Sequence, residues 1–126
     1  MTKKPYQYRR RFSKPLLEEF FRISKCWKLN VKEEMCLLGI KCYQDLSKRR
    51  KGKIILSNTE MERLGWVFNI YGNLYILFSN CQQARNSWMK KKPNNAPIFS
   101  GKSAMEYIME GDMPMERILA VRNYLG

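Results

Sequence analysis

Apolar side chains recur along this chain at three- and four-residue steps rather than in alternation, the spacing of one face of a helix. Leu16, Leu17, Phe20, Phe21, Ile23 and Trp27 follow Ser13 and Pro15 and predict an amphipathic helix ending near Trp27. Residues 1–12 place Tyr6, Tyr8 and Phe12 among five basic side chains without that period, and read as a flexible basic arm. Asn30-Val31-Lys32-Glu33 has the form of a capping box, opening a short helix with Met35, Leu37 and Leu38 that Gly39 stops. Ile40 to about Lys51 predicts a second short helix, with Ile40, Tyr43 and Leu46 inward and Gly52 ending it.

Ser57-Asn58-Thr59-Glu60 is another capping box and opens the longest helix, about 58–79, whose core stripe is Met61, Leu64, Val67, Phe68, Tyr71, Leu74, Tyr75 and Phe78. Gly65 and Gly72 each cost about 1 kcal/mol relative to alanine there, which predicts close backbone packing. Residues 80–89 continue as a short helix to Trp88 and Met89, and 90–97 form a loop. A third capping box, Ser103-Ala104-Met105-Glu106, starts a helix of one or two turns that Gly111 closes; Pro114 opens the last helix, with Ile118, Leu119, Val121 and Leu125. Nothing pairs as strands and nothing repeats. The expected fold is all-α, with a helix-turn-helix-like module over 13–56, a long connecting helix over 57–79 and a small helical domain over 80–126.

With 126 residues and 44 % hydrophobic side chains, the chain has enough apolar surface to fold. Its formal charge is +13, and the distribution is uneven. Residues 1–53 hold 16 basic and 5 acidic side chains, whereas 54–126 hold 8 and 6. So concentrated a field attracts polyanions, nucleic acid first. A merely solvated basic tail, an acidic membrane surface and an acidic protein partner are the alternatives.

There is no histidine, which removes Ser/His and Cys/His nucleophile–base pairs. Cys26, Cys36, Cys42 and Cys81 contain no C-x-x-C, so a zinc site is not expected. Met1-Thr2-Lys3-Lys4-Pro5 leads into Arg9-Arg10-Arg11 without an apolar signal segment, so the four thiols are expected reduced and mostly buried in a cytoplasmic protein. The longest apolar stretch, Leu74 to Phe78, is far too short for a membrane span. Gly101-Lys102-Ser103 lacks the spacing and the preceding strand of a phosphate loop. Glu18/Glu19, Glu33/Glu34 and Glu60/Glu62 fall in first helical turns, where they complement the helix dipole. No catalytic residue, metal or cofactor is expected.

Residues 30–51 form a helix, a glycine turn and a basic helix. In such a unit the second helix enters the major groove, which makes Lys41, Gln44 and Ser47 the base readers and Lys48, Arg49, Arg50, Lys51 and Lys53 the phosphate contacts. The alternative is a helical hairpin with a solvated charge run. Met105, Met109, Met113 and Met115 suit either core packing, which helix spacing favours, or an adaptable binding surface.

Trp88-Met89, Pro93-Asn94-Asn95-Ala96, Phe99-Ser100-Gly101-Lys102-Ser103-Ala104-Met105-Glu106-Tyr107-Ile108 and Gly111 before a final apolar helix resemble, in that order, the Xre/MbcA/ParS antitoxin toxin-binding domain. Upstream, Trp27, Leu29, Glu33-Glu34 and Leu37-Leu38-Gly39-Ile40 resemble that family's helix-turn-helix-like module, and Glu62-Arg63-Leu64 through Ile76-Leu77-Phe78 its connecting helix. The resemblance implies a homodimeric antitoxin that blocks the active site of a cognate toxin, often a RES-domain toxin that consumes NAD, and that binds its own operator DNA. It implies a toxin contact through Pro93, Asn94, Phe99, Gly101, Met105, Met109, Arg122, Leu125 and Gly126, with the C-terminal end reaching into the toxin's cleft. A stand-alone transcriptional regulator that has kept the fold and lost its toxin is the other expectation.

Overall fold

Each of the three Asn/Ser-x-x-Glu sequences opens a helix. The computed structural model describes residues 3–92, 94 and 96–126, and its regular elements are all helical. They are α1 (Tyr6–Trp27), α2 (Val31–Leu38), α3 (Tyr43–Arg50), α4 (Asn58–Leu77), α5 (Gln82–Ser87), α6 (Ala104–Glu110) and α7 (Pro114–Leu125), with 3-10 turns at Trp88–Lys90 and Pro97–Phe99. At α2 the Glu33 N–H donates to Asn30 Oδ1 at 2.9 Å, and the Asn30 N–H donates to the Glu33 carboxylate at 2.8 Å. Ser57 with Glu60 and Ser103 with Glu106 repeat the exchange at α4 and α6. Each box satisfies two amides that the first helical turn leaves without a partner.

α2 ends at Gly39, whose φ of +76° is left-handed. From α4, Arg63 donates to the carbonyls of Cys36 at 2.8 Å and Leu37 at 3.2 Å, so another helix supplies the cap. The backbone angle favours glycine, and a Cβ on Gly39 would come within 2.7 Å of that guanidinium and displace it from the cap.

α4 is the centre of the molecule rather than a bare spacer. It buries Leu64, Val67, Ile70 and Leu74 and packs against α1, α2, α5 and α7. α2 also meets α6 and α7, and the buried side chains of both halves form a single apolar cluster from Leu17 to Val121. Each large aliphatic in it contributes about 1.5–3 kcal/mol relative to exposure. Among the described residues no helix is long and apolar enough to cross a membrane.

Several expectations are corrected. Residues 6–12 are helical rather than a flexible arm: α1 starts at Tyr6 and carries Pro15 within it. Ser13 is no helix start but a buried interior residue, its Oγ donating to the Arg9 carbonyl and accepting from the Leu56 N–H at 2.8 Å. The Leu56 bond, made across 43 residues, holds the first turns, a contribution that local periodicity cannot register. α3 begins at Tyr43 with Cys42 before it, leaving Ile40 and Lys41 outside the helix, and Tyr43 is exposed. On α4, Ile70 takes the core position while Tyr75 is half-exposed. Gly65 and Gly72 have nothing within 4 Å of a would-be Cβ, so no close backbone approach explains them. The thiols are all free, but Cys42 and Cys81 are exposed and only Cys26 and Cys36 are half-buried.

Candidate partner-binding surfaces

The basic segment divides into spent and unspent charge. Arg49, expected as a phosphate contact, turns inward and is only 7 % exposed. Its guanidinium pairs with Glu60 at 2.7 Å and donates to the Asp45 carbonyl at 3.0 Å, tying α3 to the start of α4. Arg50 is half-exposed and pairs with Glu34, a buried carboxylate that also accepts from Ser24 Oγ. The same guanidinium lies 4.5 Å from the centre of the Phe21 ring. Glu33 likewise takes Lys90 at 2.9 Å. The acidic residues Glu33, Glu34 and Glu60 thus do more than complement helix dipoles: they neutralise basic groups brought in from other elements.

Lys41, Gln44, Lys48, Lys51 and Lys53 are exposed, and Ser47 is half-buried. Lys41 precedes α3, while Gln44, Ser47, Lys48 and Lys51 follow its turns. Leu46 is the fully buried apolar anchor of α3 and fixes which way the other side chains face.

In the C-terminal half, the residues that carry the family resemblance mostly build the interior. Phe99 is 1 % exposed and touches three rings: Trp88 at 5.8 Å, Tyr107 at 5.4 Å and Tyr124 at 6.0 Å. Met105 is buried with Ala104 and Ile108 on the inner face of α6. Asn94 is also buried; its Oδ1 accepts from the Ala96 N–H at 3.0 Å, and its Nδ2 has no partner among the described residues. Phe99, Met105 and Asn94 are therefore corrected from contact residues to supports. Aromatic and thioether groups at helical spacing serve the core first, because burying them lowers the free energy most. Pro93 lies outside the described residues.

What remains outward is Ile98, Gly101, Met109, Met113, Tyr124 and Gly126, with Arg122 and Leu125 half-buried. Ser100 and Gly101 are both left-handed, at φ 50° and 82°, and make a sharp corner after the 97–99 turn. The tilted contact of Tyr124 with Phe99 brings the last turn of α7 beside that corner. On the other side, Arg122 and Gly126 flank Asn69 and Asn73 of α4 in a shallow polar recess. Glu106, which accepts the Ser103 N–H and faces Lys92, has its carboxyl held below the ordinary value of 4.5. Burial pushes the Cys36 thiol up from its ordinary value of 9.0.

No protein-family model matches the chain, and no solved structure matches it. Over 109 residues it is 32 % identical to the uncharacterized protein y4oB of Sinorhizobium fredii, a match that takes in 86 % of this chain and 80 % of that protein. The chain belongs to the y4oB family. Membership brings no stated activity with it, so what this y4oB-family protein binds is read from its surfaces.

Proposed function

We propose that the protein is an antitoxin of a type II toxin–antitoxin system, a binding protein that occludes the active site of a cognate toxin with its C-terminal half and touches DNA with its basic half. One observation carries the reading. The 97–101 corner and the last turn of α7, separated by over twenty residues, are joined through the Phe99–Tyr124 contact into one outward surface. Those are the segments that the resemblance assigns to toxin contact. Ile98, Tyr124 and the α6–α7 methionines Met109 and Met113 leave apolar side chains on the outside of this half, as a protein-docking surface requires. Exposed lysines beside α3, in no salt bridge among the described residues, support the DNA contact.

The toxin expected on the resemblance is of the RES type, and its gene would adjoin this one. Co-expression with the product of the adjacent reading frame should relieve growth arrest and give a stable complex on size exclusion. Removing residues 123–126 should abolish both while leaving helicity intact. A neighbour that is neither captured nor silenced rejects the antitoxin reading.

A further inference from the structure

The segment joining α3 to α4 runs antiparallel along the front of α1. Arg50 lies on the Phe21 ring, and Gly52 sits where a Cβ would come within 2.9 Å of the Lys14 side chain. Farther along, the Leu56 N–H donates to Ser13, the Leu56 carbonyl accepts from Arg9 at 3.1 Å, and the Lys4 N–H donates to Asn58 Oδ1 at 2.6 Å. Two basic stretches some forty residues apart in the chain thus become neighbours. Arg10, Arg11 and Lys14 come from α1, Lys51 and Lys53 from the joining segment, and all five are exposed. Among the described residues none of the five is in a salt bridge, in contrast to Arg49 and Arg50 beside them. Glu18, one turn beyond Lys14, is the nearby exposed acid on α1.

We propose that this composite strip binds double-stranded DNA through its backbone phosphates, without regard to sequence. The inference rests on the DNA-contact part of the proposed function and moves the contact from α3 alone to α1 with the joining segment. Pinned by these long-range bonds, α1 carries its charges along a length of about 22 Å from Tyr6 to Phe21 by helical rise. A duplex offers a matching row of charge, about six phosphates of one strand over that length. Single-stranded binding draws on free aromatic faces for stacking. Here one face of each of the Tyr6 and Tyr8 rings is occupied, by Arg9 at 5.8 Å and by Lys4 at 5.0 Å.

The test is fluorescence anisotropy of the full chain on a 20-base-pair duplex of arbitrary sequence, across a salt series. The double variants Arg10→Gln/Arg11→Gln and Lys51→Gln/Lys53→Gln should each lower the salt slope by about 1.8, close to 0.9 per lost phosphate contact. Lys91→Gln, which removes an exposed charge far from the strip in sequence, should leave the salt slope on this duplex unchanged. Far-UV circular dichroism checks that each variant keeps its helices. Unchanged slopes in both strip variants, or equal binding of the corresponding single strand, would overturn the proposal. Capture of the adjacent gene's product, measured on the same variants, separates the two readings: the strip can fail while capture persists, and capture can fail while the duplex is still bound.

Discussion

Residues 3–60 and residues 88–126 share one apolar core but are pinned by different side-chain contacts. In the first, buried or half-buried carboxylates gather basic side chains from elsewhere: Glu34 takes Arg50, Glu60 takes Arg49 and Glu33 reaches Lys90. In the second, Phe99 gathers rings from the 88–90 turn, α6 and α7. The side chains that draw the eye in each half are consumed by the fold. What each half leaves for a partner is the set beside them: lysines and arginines along α1 and the α3–α4 segment, and a corner with exposed apolar side chains at the other end. Charge that is already paired and desolvated has little left for a phosphate, and a ring already buried has little left for a toxin.

The comparison breaks most visibly at the aromatic hub. Phe99→Ala should cost about 3–5 kcal/mol in urea unfolding, since it removes a fully buried ring on which three others lean. If stability were unchanged and only partner capture fell, Phe99 would be a contact and not a support. Arg49→Ala should come next, at about 2–3 kcal/mol, by stripping Glu60 of its charged partner. Its salt slope on DNA should stay as in the parent; a shallower slope with unchanged stability would return Arg49 to the phosphate contacts.

Ser103→Ala tests how far the C-terminal half depends on local capping and should cost about 1 kcal/mol. In the opposite direction, Gly65→Ala and Gly72→Ala add a methyl group that meets nothing within 4 Å, so each should stabilise α4 by about 0.5–1 kcal/mol, read as a rise in Tm. The smallest effect is one of pH. Glu106 titrates below 4.5 in the folded chain, so its stabilisation of the α6 cap is complete above that value and is lost as pH falls through the lower folded one. Glu106→Gln should flatten that part of the acid-unfolding curve.

The all-α class and the starts of α2, α4 and α6 were legible in the sequence, because a capping box and its apolar period are local and span less than two turns. The C-terminal segments were legible as well, though as motifs rather than as roles. Motif residues cannot be sorted into buried and exposed ones until the fold is known: Phe99 and Gly101, two positions apart, are buried and exposed respectively. The start of α1 was not legible. No cap marks Tyr6, and the bonds that order residues 6–13 come from Leu56.

By itself the sequence determined most of the helical segments, the first turns of α1 excepted, and that an excess of positive charge lies in the first 53 residues, since propensity, capping and net charge depend on residues close together or simply added up. Tertiary structure alone decided which of those charges are free. An ion pair between Arg49 and Glu60, or a shared surface between Lys14 and Lys53, depends on how helices pack around α4, and that packing is set by the whole core at once.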